Sequence, residues 1–170
     1  EKLLTRKDIE AIKRDQIEQK ESRPTFKRNV WFTERDENVA FSLRYDGETL
    51  FSKHSDFQKV EVINTYAYGK MLTLDGLVMC TENDEYVYHE MITHVGMLSH
   101  PNPKQVLVIG GGDGGTVREL VKHPSLEKVT MVEIDDVVIE ASKQNLPSLS
   151  SAFDHEKLDL IVGDGIEYLA

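Results

Sequence analysis

The chain has 170 residues, is 39% hydrophobic and carries a formal charge of −10 at pH 7, so it has enough length and apolar content for a packed core and is not a disordered polymer. Residues 1–28 hold nine Lys/Arg against six Asp/Glu, and residues 29–170 hold eleven against twenty-four; an acidic body of that kind repels nucleic acid and attracts cations. The single cysteine, Cys80, excludes an intrachain disulfide and a Cys-based zinc site, and with no apolar run near the roughly 18 residues of a membrane span the expectation is a soluble protein of a reducing, cytoplasmic compartment.

Residues 1–28 read as a helical extension or linker. Leu3, Leu4, Ile9, Ile12 and Ile17 fit a weakly amphipathic helix that ends before Pro24, either solvated or joining an upstream domain. The chain opens on Glu1 and stops inside an apparent helix over 166–170, so it is expected to be a piece of a longer polypeptide.

Residues 29–82 read as a β domain. Apolar and polar residues alternate through Val39, Phe41, Leu43 and Tyr45 and again at Val60 and Val62, the pattern of half-buried antiparallel strands. Turn chemistry stands at Asp46-Gly47, Tyr68-Gly69 and Asp75-Gly76, and Asp-Gly pairs are strong hairpin signals. The expected form is an antiparallel β-meander or partial barrel.

Residues 83–170 change period. Tyr88, Met91, Ile92, Val95 and Leu98 have helical spacing, which predicts a helix over 83–99 with that stripe as its core face. Pro101 and Pro103 punctuate it. Strand 106–109, helix 116–122, strand 129–134, helix 137–144 and strand 158–162 then alternate, predicting the first half of a Rossmann-like, doubly wound parallel sheet. The fold class is α/β, with strand 106–109 placed centrally and bare on one edge.

Between strand and helix lies Gly110-Gly111-Gly112-Asp113-Gly114-Gly115, a formal G-x-G-x-x-G with Glu133 at the end of the next strand, where an acid meets ribose hydroxyls. A dinucleotide and an adenosyl sulfonium both remain candidates on that pattern. Asp113 separates them: a loop carboxylate beside a pyrophosphate costs several kcal/mol when desolvated, whereas it attracts a sulfonium or an amine. Gly163-Asp164-Gly165 puts a further carboxylate at the end of the third strand, in reach of an adenine amino group, although a turn or capping role also accounts for Asp164.

Positions 29–170 resemble the spermidine synthase family of aminopropyltransferases. The motifs run in the family's order: Asp75-Gly76, then Thr81 through Glu85 to Tyr88-His89-Glu90-Met91, then His100-Pro101-Asn102-Pro103, the glycine loop, and Val132-Glu133-Ile134-Asp135. The resemblance implies transfer of an aminopropyl group from decarboxylated S-adenosylmethionine to putrescine, giving spermidine and methylthioadenosine, with no metal and no redox cofactor. It implies that Gln58, Gly110, Gly112, Asp113, Glu133, Ile134, Asp164 and Gly165 contact the adenosyl ligand, and that Tyr88, His89 and Asp113 form the diamine pocket. The family's catalytic Asp belongs to a later run, beyond Ala170, so none of the catalytic acid-base apparatus is expected in this chain and the segment alone is expected to be inactive.

The chemistry suits those residue types, because a diamine arrives as a dication and must be held by carboxylates while one end loses a proton and lines up behind the carbon beside sulfur. His89 has the titration range for such proton traffic. His89-Glu90 with His94 is not a zinc H-E-x-x-H motif, since a five-residue step turns the second ring by roughly 140°. A methyltransferase using intact S-adenosylmethionine and a catalytically incomplete regulatory subunit are the competing readings. The resemblance further implies a homodimer through the N-terminal strands, completed by the missing C-terminal half.

Overall fold

The N-terminal sheet is a five-stranded antiparallel meander, β1 (Val30–Arg35), β2 (Ala40–His54), β3 (Lys59–Thr65), β4 (Gly69–Leu74) and β5 (Leu77–Thr81), with neighbours in chain order. The structure, a computed structural model, describes residues 30–170, so the helix expected near the N-terminus lies outside the described residues. Asp75 and Gly76 both take positive φ, 51° and 81°, the twist that joins β4 to β5 by a tight hairpin.

Asp46-Gly47 does not turn the chain. It lies inside β2, where the register to β3 slips between Tyr45 and Thr49 and again before Phe51, and Gly47 at φ 83° absorbs the slip. A glycine with positive φ is as much the signature of a bulge as of a hairpin. The pairing decides: β2 stays bonded to β3 on both sides of the irregularity.

A 15-residue helix, α1 (Glu85–Ser99), leads to a three-stranded parallel sheet, β6 (Gln105–Ile109), β7 (Lys128–Glu133) and β8 (Leu158–Val162), interleaved with α2 (Gly115–Leu120), α3 (Asp136–Asn145), a 3₁₀ turn at Ser150–Ala152, and α4 (Gly165–Leu169). The order is β6-β7-β8, so among the described residues β6 has a neighbour on one side only. The register, Ile109 opposite Val132 and Glu133 opposite Val162, brings the C-terminal ends of all three strands to one rim.

Burial of β-branched and aliphatic faces joins the two parts. Val60, Val62 and Leu72 of the meander pack on Val137, Val138 and Ala141 of α3 and on Leu146 and Leu149. A second core sets Val117 and Leu120 of α2, Leu126 and Phe153 against Val129 and Met131 of β7, with Met97 of α1 at its margin. Truncating a fully buried leucine such as Leu146 costs about 2–5 kcal/mol.

The apolar stripe of α1 is not core here. Tyr88, Met91, Ile92, Val95 and Leu98 are all more than half exposed, and the buried face is Glu85, His89, Thr93 and Met97. The cause is electrostatic: Glu85 and His89 have partners on α2 and in the glycine loop, so the polar face turns inward. Nothing among the described residues covers the stripe, and it meets the free edge of β6, where Ile109 is 57% exposed.

Candidate active site

The glycine loop is shaped by close approach. Gly110 bonds through its amide to the carbonyl of Val132 at 2.8 Å, which presses the loop against the end of β7. A Cβ at Gly112 would stand 2.9 Å from Val138 and 3.0 Å from Glu133, and one at Gly115 would stand 2.4 Å from the His89 ring. No larger residue fits either place without moving a buried neighbour.

Glu133 closes the loop. Its Oε2 accepts from the Gly112 amide at 2.9 Å and its Oε1 from the Asp135 amide at 3.0 Å. A carboxylate has about four acceptor positions, so both oxygens keep further acceptor capacity. Next along, Asp135 is fully buried and accepts from Ser55 Oγ at 2.8 Å, Gln58 Nε2 at 2.9 Å and the Val137 amide at 3.0 Å. It caps α3 and anchors the meander loop that carries Gln58. Ile134, between the two acids, is 41% exposed.

On the other side of the loop, Asp113 Oδ1 accepts from the Gly115 amide at 2.7 Å and lies 3.1 Å from His89 Nε2. The opposite ring nitrogen, Nδ1, meets Glu85 Oε2 at 2.6 Å. Arg118 grips Glu85 with both terminal nitrogens, at 2.8 and 2.9 Å. Burial disfavours the His89 cation, but the bonds and charges of Asp113 and Glu85 outweigh it and raise its pKa above 6.5. Burial likewise pushes Asp113 up, yet His89 and the Gly115 amide win and hold it below 3.8. Each group thus favours the charged form of the other.

Gly163 donates to the Glu133 carbonyl at 2.9 Å, which sets the β8 turn beside that of β7. Asp164 caps α4 by accepting from the Ile166 amide at 2.7 Å, and Gly165 is buried against Ile109. The capping role foreseen for Asp164 is thus real; its carboxylate remains exposed beside the same rim. One bonded sequence now connects Gln58, Asp135, Glu133, Gly112, Asp113, His89, Glu85 and Arg118.

Tyr88, 62% exposed, sets its ring edge-on to His89 at 5.3 Å. With His89, Asp113 and Gly111 it lines a cleft of about 740 Å³ between α1 and the free edge of β6. Gln58, Glu133 and Asp164 do not line that cleft. Asp113 thus stands beside the glycine loop, with Tyr88 and His89 on the cleft side of it.

Sequence reasoning missed Asp135, Glu85 and Arg118. Asp135 and Glu85 stood within quoted motifs, and the i, i+4 spacing of Glu85 and His89 was a signal; Arg118 reaches them only through the fold. Burial and the charges of Asp113 and Glu85 push the Cys80 thiol far up, so Cys80 is an inert, partly buried residue. His94 pairs with His123 at 2.8 Å and faces Glu119, and among the described residues no group of three or more ligating side chains could hold a metal. No helix among the described residues is long and apolar enough to cross a membrane.

Comparison with known proteins matches residues 85–170 to the spermine/spermidine synthase domain and residues 30–82 to the spermidine synthase tetramerisation domain. A polyamine aminopropyltransferase of Methanocaldococcus jannaschii is 53% identical over 146 residues, 85% of this chain and 50% of the relative. One from Desulforudis audaxviator is 52% identical over 143 residues, covering 84% and 52%. The crystal structure of spermidine synthase from Thermotoga maritima superposes with a TM-score of 0.81 at 40% identity, over 88% of this chain and 54% of that one; a spermidine synthase complexed with the transition-state analogue AdoDATO matches equally. The chain spans about half the length of these relatives.

Proposed function

This chain belongs to the spermine/spermidine synthase family, and on that premise we propose that it forms the donor-binding half of an aminopropyltransferase that moves the aminopropyl group of decarboxylated S-adenosylmethionine to putrescine. Asp113 carries the proposal: a carboxylate whose ionised form is favoured among the loop glycines, 3.1 Å from His89 Nε2 and lining a cleft with Tyr88. Such a group holds an ammonium and repels the carboxylate of an intact methionine tail, which disfavours methyl transfer.

In this reading Glu133 takes the ribose hydroxyls, Asp164 with Gly165 takes the adenine edge, and Gln58, Gly110, Gly112 and Ile134 line the adenosyl path. Tyr88 and His89 form the diamine pocket with Asp113. The neutral amine nitrogen attacks the aminopropyl carbon attached to sulfur, a C–N bond forms as the C–S bond breaks, and the electron pair left on sulfur converts the sulfonium to the thioether of methylthioadenosine. The secondary ammonium so formed then sheds its extra proton to solvent. The carboxylates work by holding and aligning two cations whose mutual repulsion in water keeps them apart.

Assembly is proposed to be homo-oligomeric through the meander, from the match of residues 30–82 to a tetramerisation domain and from the exposure of Trp31, Phe41 and Met79 on it. A homodimer is the smallest such unit. A cytoplasmic location is proposed with it, in keeping with a chain whose single cysteine, Cys80, forms no intrachain disulfide.

The test is an assay of methylthioadenosine release on the longest native polypeptide that carries this chain, with decarboxylated and intact donor and a series of diamines. Release that needs the decarboxylated donor and putrescine is the expected result. Methyl transfer from the intact donor, or tight methylthioadenosine binding with no diamine supporting release, would overturn it in favour of a methyltransferase or a regulatory subunit.

A further inference from the structure

Resting on that reading, we propose that Glu85, clamped by Arg118, is a positioning residue for the amine pocket: it fixes the His89 ring so that Nε2 engages Asp113 Oδ1 and leaves Oδ2 to the substrate ammonium.

The four side chains alternate in charge along one line, Arg118, Glu85, His89 and Asp113. The guanidinium spans both oxygens of Glu85 at 2.8 and 2.9 Å, a bidentate geometry that allows the carboxylate little rotation. Glu85 and His89 sit one turn apart on α1 and are 7% and 1% exposed, so the 2.6 Å contact at Nδ1 is shielded from water. The ring has no alternative pose, because its far side abuts Gly115. Arg118 is itself tethered to the Ser148 carbonyl at 3.1 Å and to Glu119 at 2.9 Å. None of Glu85, Arg118 or Glu119 lines the cleft. They act on the amine only through His89.

The remaining groups around the ring are Tyr88 on its own helix, edge-on at 5.3 Å, the inert Cys80 thiol on β5, whose titration responds to both Glu85 and Asp113, and Asp84 just before α1. None of these supplies a second cation to His89, so the balance between Arg118 and Glu85 sets how strongly the ring holds its second proton.

That balance makes a prediction of opposite signs. Glu85→Gln keeps the shape but removes the negative charge facing Nδ1, so the His89 pKa falls. Arg118→Met leaves Glu85 uncompensated, so the His89 pKa rises. In the native full-length polypeptide both variants raise the diamine KM by about tenfold or more, while methylthioadenosine binding changes less than threefold, and Arg118→Lys restores the pKa but only part of the KM.

The measurement is an NMR titration of the His89 imidazole in wild type and variants, beside pH profiles of kcat/KM for putrescine. Opposite pKa shifts with a matching movement of one pH limb are expected. Shifts of the same sign, or lower activity with an unmoved pKa, would mean that the pair merely stabilises α1, and the inference fails. The titration needs no turnover, so a wild type that transfers no aminopropyl group overturns the proposed function while the relay is still decided. Should Glu85→Gln fail to fold, a His89 pKa that rises in Arg118→Met and returns in Arg118→Lys supports the inference, and an unmoved or lowered pKa in Arg118→Met overturns it.

Discussion

Gln58 Nε2 donates to Asp135 Oδ2 at 2.9 Å, a bond that ties the loop before β3 to the end of β7 and so fixes the meander to the nucleotide rim. Asp135 serves three donors, and its carboxylate has no exposed surface. Asp135→Asn keeps one acceptor and turns an NH₂ toward those donors. The expected cost is about 1–3 kcal/mol, a fall in Tm of about 2–4 °C per kcal/mol for a chain of this size. Gln58→Ala should cost less stability yet weaken methylthioadenosine binding several-fold; unchanged binding by calorimetry would remove Gln58 from the adenosyl site.

Asp113→Asn separates charge from shape in the proposed amine pocket. The amide keeps the volume and can still accept from the Gly115 amide, but it gives up the ion pair with His89 and the attraction for an ammonium. Transfer, as kcat/KM for the diamine, should drop by about 10²-fold or more, the worth of about 3 kcal/mol. Methylthioadenosine affinity should hold. A variant that lost both equally would place Asp113 at the nucleoside instead.

The meander, the parallel half-sheet and the glycine loop were legible because each writes a local period or a turn into the sequence. Asp113, Glu133, Tyr88 and His89 fell at strand ends and a helix start for the same reason. What could not be read was any property set by a partner distant in sequence. Asp46-Gly47 carries hairpin chemistry, yet the pairing of β2 with β3 on both sides of it makes it a bulge. The stripe of α1 has core spacing, yet Arg118 and Asp113 draw the opposite face inward. Periodicity locates a face and not what faces it.

Stability should depend on pH from both sides of this cluster. The raised His89 pKa means that folding favours its proton; that contribution is complete below the ordinary 6.5 and disappears as pH climbs through the higher folded value. Glu85, below 4.5, and Asp113, below 3.8, run the other way, because Arg118 and His89 overcome the burial that raises them. Their contribution is complete above those values and is lost as pH falls through the lower folded ones. His123, whose pKa burial and His94 push down, adds an opposing slope, so the check is the Tm difference between wild type and His89→Gln from pH 3 to 9. That difference should peak between about 4.5 and 6.5; a flat difference would mean that His89 is neutral in the folded state.

Gly115→Ala and Gly96→Ala make a matched pair on facing elements. A methyl at Gly115 meets the His89 ring at 2.4 Å, and that ring is held at both nitrogens and cannot retreat. Destabilisation of about 1–3 kcal/mol is expected, together with a raised diamine KM. A methyl at Gly96 meets nothing within 4 Å in the last turn of α1, so it should stabilise by up to about 0.5–1 kcal/mol through helix propensity alone. Denaturant unfolding of the two variants tests both signs.

The uncovered stripe of α1 predicts how residues 30–170 behave by themselves. Met91, Ile92, Val95 and Leu98 are each more than half exposed, as is Ile109 on the free edge of β6, and an apolar helix face beside an unpaired strand promotes association. The relatives carry about as much chain again, enough to extend the sheet past β6 and lie under this stripe. Expressed alone, the segment should bind a hydrophobic dye and self-associate, and Val95→Lys with Leu98→Glu should suppress both. In a full-length polypeptide the same pair should instead lower Tm by several degrees, since each buried aliphatic side chain is worth about 1.5–3 kcal/mol. If the full-length protein tolerates the charges with its Tm unchanged, the stripe faces solvent there too and the sheet does not continue beneath it.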